Sequence, residues 1–100
     1  MTEQQQAIWD YLVSNAIGKR NAVHITKIAS DLGIPDYGTN NDDVRASIAD
    51  MVIDKGRPIG TCRDGAFLIT NELEREESAR FLDRNTRSTA IRRNGFYTPE

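Results

Sequence analysis

The sequence predicts an α+β fold, mainly α: a three-helix core, a short strand plus a β-hairpin, and an added C-terminal helix. Three observations predict it. Apolar residues recur at helical spacing in three stretches, Ile8 to Ala16, Ile28 to Leu32 and Val44 to Val52. Stop signals close each stretch: Gly18, Gly33, and Lys55-Gly56 with Pro58 two residues on. Asp64-Gly65 then marks a tight hairpin turn between Pro58 and Thr70.

The elements follow in chain order. Thr2-Glu3-Gln4-Gln5 fits a capping box, with Thr2 as N-cap and Gln5 reaching back to its amide. Ile8, Tyr11, Leu12 and Ala16 form the inward stripe of the first helix, widened by Trp9 and Val13. Val23-His24-Ile25 suits a brief strand that pairs with the later hairpin, with His24 outward. Thr26 caps a second helix, Lys27 to Leu32, with Ile28, Ala29 and Leu32 inward and Gly33 turning the chain. Pro35 to Asn41 is a non-helical loop. Asn40 or Asn41 caps the third helix, whose inward stripe is Val44, Ile48, Met51 and Val52. With Asp64-Gly65 as a two-residue turn, Arg63 pairs with Ala66, Cys62 with Phe67, and Gly60 with Ile69. Cys62, Phe67 and Ile69 then share the core face. From Glu72 to Arg93 the composition is helical, capped by Asn71, with acids early and arginines late. The organisation expected is therefore one domain over residues 1–71, a C-terminal helix over 72–93 that packs on it or pairs subunits, and a tail over 94–100.

Composition narrows the function. One hundred residues suffice for a single core. No apolar run approaches the roughly 20 residues of a membrane span, and the first residues do not read as a signal peptide, so a cytoplasmic, reducing setting is the expectation. Cys62 and His24 are the only residues of their types, so no intrachain disulfide and no metal site is expected. No nucleophile–base pair, P-loop or paired-carboxylate spacing stands out, and neither an enzyme nor a cofactor is expected. The net charge is −2. It is unevenly spread: five arginines (80, 84, 87, 92 and 93) face one acid, Asp83, between Arg80 and Arg93, while the rest of the chain is acidic.

The run Ile28-Ala29-Ser30-Asp31-Leu32-Gly33-Ile34, then Val44-Arg45-Ala46-Ser47-Ile48, Gly56-Arg57-Pro58-Ile59-Gly60 and Asp64-Gly65-Ala66-Phe67-Leu68-Ile69 resembles the winged helix-turn-helix of the biotin-operon-repressor type. The resemblance spans about Ile8 to Thr70. Similar small domains occur in bacterial and phage proteins. It implies a third helix that enters the major groove of double-stranded DNA and a hairpin wing that touches the backbone or minor groove, hence DNA binding in transcription regulation or in a nucleoprotein complex. Two departures are the long turn over Pro35–Asn41 and the acidic start of the third helix.

Helix geometry limits that expectation. At about 100° per residue, the inward stripe leaves Asp42, Ala46, Ala49, Asp50 and Ile53 pointing outward. Base edges are read by Arg, Lys, Asn or Gln, and this face offers none; Arg45 lies on its flank. DNA contact is then expected either from Thr39, Asn40, Asn41 and Arg45 at the helix N-terminus with Lys27 on phosphate, or from the wing residues Lys55, Arg57 and Arg63 with the stripe Arg80, Arg84 and Arg87. The competing expectation is a protein-interaction module that docks a partner on the Asp42, Ala46, Ala49, Asp50, Ile53 face. A homodimer through the C-terminal helix, seeded by Leu73, Phe81 and Leu82, is a further expectation.

Overall fold

A computed structural model of the chain describes residues 2–34, 42–82 and 91–98. The elements are α1 (Glu3–Asn15), a single 3-10 turn (Lys19–Asn21), α2 (Ile25–Leu32), α3 (Asp42–Ile53), the strands β1 (Ile59–Cys62) and β2 (Gly65–Leu68), and α4 (Glu72–Leu82). The fold is α+β and mainly helical, and its layout is compatible with a winged helix.

α1 starts where its capping box dictates. The Gln5 amide donates to Thr2 Oγ1 (3.1 Å), and the Thr2 amide donates to Gln5 Oε1 (3.0 Å). Its stripe Ile8, Leu12 and Ala16 is buried against Ile25, Ile28 and Ala29 of α2 and Val44, Ile48, Met51 and Val52 of α3. Each fully buried Ile, Leu or Met there contributes about 1.5–3 kcal/mol of burial free energy. α2 ends at Gly33, whose φ of 68° lets its amide reach back to the carbonyls of Ala29 and Ser30.

Two local expectations change. α2 begins at Ile25 with His24 as its cap residue, not at Lys27 behind Thr26. The strand expected at 23–25 shrinks to one antiparallel bridge: the Val23 amide donates to the Ala66 carbonyl (3.0 Å), and the Ala66 amide returns to the Val23 carbonyl (2.9 Å). Ile25 is buried, so it serves the helical core rather than a sheet.

The hairpin differs in register from the expectation. Cys62 pairs with Gly65, Thr61 with Ala66, Gly60 with Phe67 and Ile59 with Leu68, so Arg63-Asp64 is the turn. Gly65 is needed for another reason. A Cβ there would stand 2.0 Å from the Val23 carbonyl oxygen, and its φ of 126° suits glycine. The partners move by two residues relative to the expected pairing. An even slip preserves faces, so Cys62 and Phe67 still share one.

α4 makes the hairpin more than a wing. All four residues of β2 are buried, so both faces of that strand are covered. Its free edge is occupied on the other side as well, by Val23 and by Gly18 and Ala16, which bond the Leu68 carbonyl and amide. The outer edge of β1 is taken by Ser78 of α4, whose hydroxyl accepts from the Thr61 amide and donates to the Thr61 carbonyl. A sheet edge sealed in this way has no unpaired row to offer. Only the tip emerges: Thr61 and Cys62 are half-buried, Arg63 and Asp64 exposed.

α4 is described to Leu82; residues 83–90, within the 72–93 helix expected, lie outside the described residues, and residues 91–93 are again helical. Beyond them the chain returns to the core. Ile91 is buried, Asn94 Nδ2 donates to the carbonyls of Val52 (3.0 Å) and Arg57 (3.1 Å), and the Tyr97 amide donates to the Ile69 carbonyl (2.7 Å). Tyr97 meets Trp9 edge to face. Residues 94–98, expected as part of a tail, form a strap across the end of the hairpin and α1. Their few polar and aromatic contacts carry no periodic pattern, which is why the sequence read as a tail.

Candidate nucleic-acid interface

The cations that the sequence singles out do not form one surface. Lys27, on α2, lies 3.3 Å from Asp31 Oδ2, which also accepts from the Tyr11 hydroxyl (2.5 Å). That hydrogen bond, with burial and the Asp31 charge, pushes the Tyr11 phenol up to about 12. The same bond, opposed by desolvation and aided by Lys27, holds the Asp31 carboxyl below its usual range. Lys27 thus carries a neighbouring acid with it. Arg57 is half-buried, its guanidinium 4.9 Å above the centre of the Trp9 ring, so it serves packing between α1 and the start of β1. Lys55 and Arg45 are exposed. Lys55 and Arg57 precede β1 and Arg63 follows it, so the length of the strand separates them.

Thr39, Asn40, Asn41, Arg84 and Arg87 lie outside the described residues, as does the side chain of Asp42. On the described part of the outer α3 face, Ala46 is exposed, Ala49 half-buried and Ile53 45 % exposed. Asp50 leaves that face. It turns to α1 and accepts from Gln5 Nε2 at 2.5 Å, because α1 packs beside α3 with Gln5 buried between them. Its carboxyl is lowered by hydrogen bonding to Asp54 first and to Gln5 second, while Asp54 is raised by the same neighbour. The expectation that Asp50 points outward for a partner is therefore corrected. The remaining outer face holds no donor or acceptor suited to a base edge at 46, 49 or 53.

One convergence is new. Lys19 from the 3-10 turn, Arg63 from the hairpin tip, and Arg80 with Phe81 from the end of α4 line a single open groove, with Asp64 and Glu77 as its acids and the half-buried Cys62 in its wall. Three chain segments far apart in sequence supply the three cations. Lys19 Nζ pairs with Glu77, and Arg80 stands 3.9 Å from Glu76, a long contact for exposed groups and a weak one. Arg63 projects at the tip. Phe81 remains 56 % exposed among them. Arg80 and Phe81 also stand where the arginine-rich stretch of the sequence begins.

The frame that holds the groove is built by Glu74. Its Oε2 accepts from the Lys19 amide (2.8 Å), and its Oε1 accepts from the Thr70 amide and hydroxyl (both 2.8 Å). Burial pushes this carboxyl up, but those three donors outweigh it and hold Glu74 below the usual range. Asn71 caps α4 by accepting from the Glu74 amide (2.9 Å), so one turn of helix ties the groove's two walls together.

Sequence reasoning named Arg63 and Arg80 but missed Lys19, and gave Phe81 a role in pairing subunits. No local signal marks Lys19. Its place follows from Glu74 and Glu77, 55 and 58 residues away. Among the described residues, no group of three or more His, Cys, Asp or Glu is placed to hold a metal ion, and no helix is long and apolar enough to cross a membrane. Compared with protein-family models, curated proteins and solved structures, the chain finds no match in any of the three.

Proposed function

We propose that this chain is a winged-helix binding module without enzymatic activity, and that it holds DNA by its phosphate backbone. The observation that carries the reading is the convergence of Lys19, Arg63 and Arg80 on one groove at the hairpin tip. Phosphate contact needs cations and no base reader, which fits an α3 face bare of Arg, Lys, Asn and Gln at 46, 49 and 53. The resemblance to repressor-type winged helices supports the same reading, with a place in transcription regulation or in a nucleoprotein complex. The grip comes from the tip and from α4, with α3 as scaffold.

Anisotropy of a labelled mixed-sequence duplex tests it. Binding is expected at ~50 mM salt and is expected to fall steeply toward ~200 mM. Arg63→Ala with Arg80→Ala is expected to remove most of the affinity and to flatten the salt slope by about 2. No binding to duplex or to single-stranded DNA at ~50 mM salt overturns the proposal.

The exposure of Ile53 beside Ala46 favours a second reading, in which the outer α3 face docks a protein, a second copy included. Under it, Ile53→Asp abolishes association seen by sedimentation velocity and leaves the circular dichroism spectrum unchanged. Unchanged sedimentation of wild type and variant, both as monomers, counts against a second copy as the partner.

A further inference from the structure

Resting on the DNA-binding reading, we infer that the groove at the hairpin tip takes single-stranded DNA in preference to closed duplex, with Phe81 as the platform on which an unpaired base stacks. Two elements of a winged helix ordinarily enter a duplex, and both are spent here. α3 presents Ala46, Ala49 and Ile53 where a groove reader would stand. The hairpin is flanked along both edges, by Ser78 on β1 and by Val23 and Gly18 on β2, so it cannot slide its strands along a duplex groove. Its tip alone is accessible.

What remains at that tip is a different combination. Arg63 and Arg80 supply charge for the sugar–phosphate chain, and Phe81, adjacent to Arg80 and more than half exposed, supplies a flat apolar face in the same groove. Cations beside an exposed aromatic ring are the chemistry of single-strand binding, because every base has a π-face whereas a paired base is stacked on its neighbours and closed to the ring. A base on Phe81 places its flanking phosphates beside the ring, where Arg63 and Arg80 stand, while Lys19 is held by Glu77. Leu73, also an exposed apolar residue of α4, is aliphatic and does not line the groove.

The test compares a labelled oligothymidylate strand with a closed hairpin duplex of equal phosphate count, using the full chain at ~50 mM salt. The strand is expected to bind roughly tenfold or more tightly than the duplex. Phe81→Ala is expected to weaken the strand by about 5- to 100-fold and to leave the duplex within twofold, erasing the preference. Arg63→Ala with Arg80→Ala weakens both probes. Equal affinity for the two probes, or a Phe81→Ala chain that keeps the preference, overturns this inference and leaves the DNA-binding reading standing. Binding to neither probe overturns both. Phe81 lies on the surface, so the variant is expected to keep its fold, checked by thermal unfolding. If sedimentation shows that Phe81→Ala turns a dimer into a monomer, the ring belongs to a second copy and the inference falls.

Discussion

The Ser78 hydroxyl accepts a hydrogen bond from the Thr61 amide at 2.7 Å and returns one to the Thr61 carbonyl at 3.1 Å, so one side chain satisfies both edge groups of a strand residue. Ser78 is fully buried. In Ser78→Ala the Thr61 amide and carbonyl lose that partner. A loss of about 1–3 kcal/mol is expected. Urea unfolding checks it, with a lower midpoint and an unchanged slope.

Gly60 shows why the helix can come that close. A Cβ at this position would lie 2.7 Å from Ser78 Oγ, 2.9 Å from Phe67 Cζ and 3.0 Å from an Ile69 side-chain carbon. Gly60→Ala must therefore push α4 off the strand or displace Phe67 from its place. The expected cost is about 1–3 kcal/mol, in line with overpacked cores. Since α4 carries Arg80 and Phe81, the same variant is expected to weaken binding at the groove. Paired denaturation and anisotropy measurements would show both losses together.

Glu74 predicts a pH signature. Its folded carboxyl titrates below the ordinary range, so its contribution is present above the unfolded pKa and is lost as pH falls through the lower folded value. Glu74→Gln replaces an acceptor with a donor facing the Lys19 or Thr70 amide, at a cost of about 1–2 kcal/mol near neutral pH. The gap between wild type and variant is expected to narrow in acid, once both side chains are uncharged. Thermal unfolding across that range measures it, and a gap that stays constant with pH would contradict the assignment.

Asn94 joins the end of α3 to the start of β1 by donating to Val52 and Arg57 carbonyls. Asn94→Ala leaves both acceptors without this partner and loosens the strap that brings Tyr97 to Trp9. A loss of about 1–2 kcal/mol is expected. Hydrogen exchange should show it locally, as faster exchange of the Tyr97 amide than of amides within α1.

The three helices were legible because each carries its own apolar period and its own stop. Val44, Ile48, Met51 and Val52 needed no knowledge of their neighbours to be placed inside. The hairpin turn was misplaced because Asp64-Gly65 carries a strong local turn signal, whereas the glycine answers to the Val23 backbone 42 residues earlier. Asp50 was misplaced for a similar reason: helical angle put it outside, and a glutamine of α1 drew it in. Of the groove, Arg63 and Arg80 could be found as exposed cations, but Lys19 could not. Proximity set by Glu74 leaves no trace in the residues next to Lys19.

The strap has one more consequence. Trp9 is the only tryptophan of the chain. Its ring lies 5.9 Å from that of Tyr97, near perpendicular, with the Arg57 cation over it. The chain's one strong fluorophore thus stands where α1 meets the strap of residues 94–98. Its emission reports the closing of the strap, while far-ultraviolet ellipticity reports the helices. In a refolding experiment the two signals follow one time course if the strap closes with the core, and separate if it closes afterwards.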